Sequence, residues 1–250
     1  MAPVRPEGGE EGRFHVHLTG FGPFRNYTIN PSWEAVRPLN DTLLSDPPAP
    51  LGDAALPAAP PESASSHRSI RLTSSLLPVK YTSALSIVPA LHAQTKPDFC
   101  PDLIIHVGVG SEGAVRLEQR ARKVGYEKPD ADGEMAPFDK ETGEKGYTGV
   151  EWREVAADLR TSVDGQRVVS WVRGKGLEHV ELSEDAGLYL CEFTYFASLA
   201  SALRQNPPHP LPVQFIHVPP TESPYSIEQL TRAIQLLVWA IVNEGGLPSS

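Results

Sequence analysis

Cysteine is scarce in this chain. Among 250 residues there are two, Cys100 and Cys191. Two thiols do not make a disulfide framework, and Cys100 lies beside Pro101 in a loop far along the chain from Cys191. A reducing compartment suits such a chain better than a secretory one. Positive charge is also short. Lys and Arg number 22 against 31 Asp and Glu, for a net charge of -9, and no local run of basic residues relieves it. That balance argues against nucleic acid or an acidic membrane as the main partner. Long apolar runs are missing too. The most apolar stretch, Leu236–Val242, is too short to span a bilayer. The opening Met1-Ala-Pro-Val-Arg-Pro-Glu-Gly-Gly-Glu has no apolar core of a secretory signal, so the expected location is cytoplasmic. A glycine-rich phosphate loop is absent as well. Gly20-Phe21-Gly22-Pro23-Phe24 starts like a dinucleotide fingerprint, but Arg25 stands where the third glycine belongs, and two phenylalanines crowd the space a pyrophosphate needs.

What is present alternates between strand and helix patterns. Residues 1–12, rich in Gly and Glu, are expected to be a disordered tail before one domain spanning 13–245. Phe14–Thr19 alternates apolar and polar residues and reads as a strand; Asn30 followed by Pro31 reads as a helix cap. Asp46–Ser66, rich in Pro, Ala and Ser, reads as a flexible insertion. Ser69–Leu77 predicts a strand, Thr82–Gln94 a helix, and the apolar run Asp102–Gly108 a central strand. Gly125–Tyr147 reads as a long surface loop, with helical patterns at Trp152–Arg160 and Gln166–Gly174. His179–Leu182 is a strand, a helix carries Cys191 to about Arg204, and Val213–Val218 is a strand. The last helix opens on the capping box Ser226-Ile-Glu-Gln229, with Leu230, Ile234, Leu237 and Ile241 on one stripe. The pattern predicts an α/β fold, a three-layer α/β/α sandwich around a mainly parallel sheet. Ligands bind such sheets outside the carboxyl ends of the strands. Phe21–Phe24, Glu118, Cys191 and His217 all fall at or just after predicted strands, so parallel strands would gather them along one edge.

A thiol between a strand and a helix lies where unpaired N–H groups favour negative charge. Cys191 could attack a carbonyl, His217 could accept its proton and later protonate a leaving amine, and Glu118 could orient the imidazole. The plainer reading of a lone cysteine on an apolar helix is a small buried hydrophobe. His15 and His17 share a strand face and could in principle hold a metal. No third ligand is indicated, and hydrogen-bonded histidines are the simpler reading. Phe21 and Phe24 suit an apolar wall for a small flat group, or plain core packing.

At these residues the chain resembles a known family. Leu18-Thr-Gly-Phe-Gly-Pro-Phe24 with Asn30-Pro-Ser-Trp-Glu-Ala-Val36 is similar to the opening of the pyroglutamyl peptidase I family, cysteine peptidases that remove N-terminal pyroglutamate. Ile105-His-Val-Gly-Val109 with Leu117-Glu118 continues the likeness. Ser183-Glu-Asp-Ala-Gly-Leu-Tyr-Leu-Cys191-Glu-Phe-Thr-Tyr195 and Phe215-Ile-His217-Val-Pro-Pro220 resemble the segments bearing the family's nucleophile and histidine. The resemblance implies a nucleophile at Cys191, a general base and acid at His217, and a third member at Glu118. It implies a ring wall from Phe21 and Phe24, further approach by Tyr189 and Leu190, and a nearby loop asparagine at Asn30. It implies peptides with an N-terminal pyroglutamate as substrates and no metal or organic cofactor. The alternative is a protein that binds such blocked N-termini without turning them over. After Glu118 the chain departs from the bacterial pattern: Gln119-Arg-Ala-Arg-Lys123 stands in place of Arg-Val-Ala-Ile-Asn.

Overall fold

The strand that begins at Phe14 extends to Phe21, where an apolar side chain falls on the face that carries His15, His17 and Thr19, and this strand, β1 (Phe14–Phe21), lies inside a seven-stranded sheet. A computed structural model describes residues 13–24, 28–52, 67–93, 99–205 and 208–248. The expected tail at 1–12 lies outside them. In chain order the remaining elements are α1 (Pro31–Val36), β2 (Thr42–Leu44), β3 (Ile70–Leu77), α2 (Tyr81–His92) and β4 (Leu103–Val109). Then come β5 (Val115–Glu118), β6 (Arg120–Arg122), β7 (Asp158–Arg160), α3 (Gly165–Arg173) and β8 (Val180–Ser183). The chain closes with α4 (Leu190–Gln205), β9 (Val213–Val218) and α5 (Ile227–Asn243).

The sheet order is β2-β3-β1-β4-β9-β5-β8. The pairs β3–β1, β1–β4 and β4–β9 are parallel, so the expected α/β sandwich is present. One face packs on α1, α3 and α5 through Val16, Leu18, Ile105, Val107 and Ile216; the other meets α2 and α4 through Phe21, Leu77, Val213 and Phe215. The stripe Leu230, Ile234, Leu237 and Ile241 is wholly buried, and Ser226 and Gln229 make the expected capping box. Asn30 caps α1 by accepting from the Ser32 N–H. Helix α4 is buried on nearly all sides, because the sheet, α2 and the two-stranded ribbon β6–β7 enclose it.

Four expectations are corrected. First, β5 runs antiparallel to β9, and β8 runs parallel to β5. Glu118 therefore ends a strand of its own, and the chain ends of β5 and β8 point away from those of β4 and β9. Ending β5 or following β8 does not by itself carry Glu118 or Cys191 to the carboxyl ends of β4 and β9. Second, the helical pattern at Trp152–Arg160 is a short 3-10 turn (Val150–Trp152) followed by β7, which pairs with β6. Pairing to another strand satisfies this backbone where a helix would satisfy it locally. Third, the segment 125–147 is more than a surface loop. Tyr126, Asp130, Ala136 and Tyr147 are buried, and the Asp130 carboxylate accepts from the Tyr81 N–H at the start of α2. Fourth, Leu51, within the expected insertion, is a core residue whose N–H donates to the Lys175 carbonyl. The part 53–66 lies outside the described residues.

Candidate active site

Strand β9 directs Val213, Phe215 and His217 to the α4 face. The antiparallel partner β5 sets Arg116 opposite His217 and Glu118 opposite Phe215. Glu118 and His217 are thus diagonal neighbours on one face, a separation that a long carboxylate side chain can cross. It does so: His217 Nδ1 lies 2.8 Å from Glu118 Oε1. The glutamate is held through its own backbone. Its carbonyl accepts from the Tyr195 hydroxyl at 3.0 Å and from Gln214 Nε2 at 2.9 Å. Both residues of the pair are buried.

Cys191 arrives from the other side. After β8 the chain turns back through Gly187 and Leu188, both at positive φ, and Tyr189 accepts the first helical hydrogen bond of α4 from the Phe193 N–H. Cys191 is the second residue of that helix. Its thiol lies over the α4 face of the sheet, beside Gly108, the next-to-last residue of β4. The approach requires a glycine beneath it. Gly108 of β4 pairs with His217 in register, and a Cβ there would stand 2.8 Å from Cys191 Sγ and 2.9 Å from the Phe215 ring.

The electrostatics follow from this placement. Burial alone would lower the His217 pKa. The charge and hydrogen bond of Cys191, together with the hydrogen bond and charge of Glu118, outweigh it and raise the pKa to about 9. Imidazolium is the form of His217 that these two partners favour. Cys100 is exposed and far removed in the sequence from this cluster.

The expected ring wall is brought together in part. Phe24 and Tyr189 have ring centroids 5.6 Å apart, and the Tyr189 hydroxyl donates to the Pro129 carbonyl. Phe21 is 3% exposed and leans on Phe215, whose ring is 4.9 Å from that of His217. Phe21 and Leu190 are core residues that back the site. Asn30 braces the loop: besides capping α1, its Nδ2 donates to the Gly22 carbonyl, which fixes the turn before Phe24. His15 and His17 are not paired as metal ligands. Each has a ring nitrogen within hydrogen-bonding distance of Thr73 Oγ1, and His17 also meets Ser75 Oγ. Among the described residues no group of His, Cys, Asp and Glu has metal-site geometry.

Gly108, Tyr195, Gln214 and Glu192 support the cluster without having been singled out from the sequence. A glycine inside an apolar strand is a signal of close approach, so Gly108 could have been found.

No family model matches the chain. Curated proteins do. Over 231 residues it is 31% identical to the pyroglutamyl-peptidase 1 of human and of mouse, covering 92% of this chain and 90% of theirs. The chain belongs to the pyroglutamyl peptidase I family. The fold agrees: the pyroglutamyl peptidase I structure from Bacillus amyloliquefaciens superposes with a TM-score of 0.68 at 21% identity, over 93% of this chain and 98% of that one. Of the residues in the segments that resemble the family's, Cys191 and His217 lie beside Gly108, and Glu118 meets His217.

Proposed function

We propose that the protein hydrolyses the bond between an N-terminal pyroglutamate and the next residue, as a cysteine peptidase. The observation that carries this reading is the continuous line Cys191–His217–Glu118, in a chain whose relatives are named for this activity. The Cys191 thiolate attacks the pyroglutamyl carbonyl, forming the C–S bond of a tetrahedral intermediate. The first N–H groups of α4 have no intrahelical partners and can donate to the oxyanion. The His217 imidazolium gives its proton to the departing amine as the C–N bond breaks, leaving a thioester. The imidazole then takes a proton from water, which attacks the thioester and frees pyroglutamate and the thiolate. Glu118 holds the imidazole by Nδ1 and stabilises its charged form. The lactam ring has no α-amine to neutralise. The aromatic pair Phe24 and Tyr189 suits its flat apolar faces.

The alternative of a binding protein without turnover has no support from this arrangement, since binding alone gives no use for a thiol–imidazole–carboxylate line. Turnover of a pyroglutamyl-arylamide is the test, with an unblocked prolyl-arylamide as control. The first should be cleaved and the second not, and Cys191→Ala should lose about 10^4-fold or more in kcat. Equal cleavage of both substrates, or full activity in Cys191→Ala, contradicts the reading.

A further inference from the structure

The departure Gln119-Arg-Ala-Arg-Lys123 contains the strand β6, part of the ribbon that packs on α4. Its arginines converge on the turn that delivers Cys191. Arg120 Nε donates to the Glu184 carbonyl at 2.8 Å, and Arg160 of the paired strand holds the Glu184 carboxylate through both terminal nitrogens. Arg122 reaches further. It donates to the Asp185 carboxylate, and its backbone N–H, Nε and Nη2 all donate to Glu192, at 2.9, 2.7 and 2.8 Å. Glu192 directly follows the nucleophile. Its side chain is 1% exposed, and its Oε2 also accepts from the Leu188 N–H, which ties the third residue of α4 to the turn before it.

A buried carboxylate one residue from a thiolate opposes that thiolate by like-charge repulsion. Here the carboxylate holds the turn, and a fork-shaped cation removes its charge. We infer that Arg122 and Glu192 are positioning residues for Cys191: the carboxylate fixes the turn and the guanidinium keeps the helix start favourable to a thiolate. The inference rests on Cys191 being the nucleophile.

The two roles separate by charge. The rate of Cys191 alkylation by iodoacetamide, mapped by mass spectrometry, is followed against pH in the wild type, Arg122→Gln, Glu192→Gln and the double variant. The acid limb of the curve should move to higher pH in Arg122→Gln, by about half a unit or more, with at least a several-fold slower rate at pH 7. In Glu192→Gln it should move to lower pH, and the double variant should lie between the two. A purely structural role would slow both single variants without moving their limbs in opposite directions, and that result overturns the inference. Should Arg122→Gln not fold, Glu192→Gln decides alone: an unmoved or raised limb contradicts the inference. Wild-type protein that is not alkylated at Cys191 sinks the nucleophile reading itself. Normal alkylation with unmoved limbs sinks only the pair's role.

Discussion

At the scale of residues, the site depends on a few contacts with little slack. Gly108 admits the thiol, so Gly108→Ala forces Cys191 or Phe215 to shift. Overpacking of this kind costs about 1–3 kcal/mol, but displacing a nucleophile by a fraction of its reach costs roughly a hundredfold in rate. We expect a modest fall in Tm and a much larger fall in kcat/KM. The reverse pattern would show that the glycine matters only for packing. In the proposed mechanism Glu118 acts through His217, which it contacts at 2.8 Å, so their losses should not add. The double variant Glu118→Gln/His217→Ala should be little worse than His217→Ala alone on a pyroglutamyl substrate. Multiplying losses would give Glu118 a separate task. Cys100→Ser, by contrast, should keep near-normal turnover.

Elements with a strong local signature were legible from sequence. The capping box of α5, the Asn30–Pro31 start of α1 and the strand β9 stand where their residues put them. The Cys191 helix is legible too, from about the nucleophile to Gln205. The short strands β5, β6 and β7 were not, although β8, predicted at His179–Leu182, was. β5, β6 and β7 have four, three and three residues, too few for periodicity to show, and they exist because a partner strand completes their backbone hydrogen bonds. Direction was equally hidden. Nothing local in Val115–Glu118 says that it runs against β9, so the fold brings Cys191, His217 and Glu118 together by a route that strand order alone did not reveal. The segment 46–66 divides the same way, since one buried leucine in a polar stretch leaves no pattern. Leu51→Ala should cost about 2–4 kcal/mol in unfolding free energy, whereas a Gly/Ser link in place of 53–66 should change Tm little. Equal effects of the two changes would contradict this division.

At the scale of the whole molecule, histidines bracket the pH range of stability. Burial lowers the pKa values of His17 and His92 to about 4, and that of His106 well below the ordinary imidazole range. The unfolded chain takes up protons below about pH 6.5 while these rings stay neutral in the fold. Their contribution is present above about pH 6.5 and is lost as pH falls toward 4, at about 1.4 kcal/mol per pH unit for each ring. His217 works in the opposite sense. Its raised pKa gives stability that is present below about pH 6.5 and lost as pH rises through about 9. Chemical unfolding at a series of pH values should show both slopes. His92→Gln should flatten the acid one, and an unchanged acid slope would contradict the assignment. The claim on which the rest depends is that a pyroglutamyl group passes through Cys191. Acid quenching during turnover of a pyroglutamyl-arylamide, followed by peptide mass mapping, tests it directly. The account predicts one pyroglutamyl thioester on the peptide holding Cys191, and none in Cys191→Ala. An acyl group found on any other residue, or continued turnover by Cys191→Ala, would contradict it.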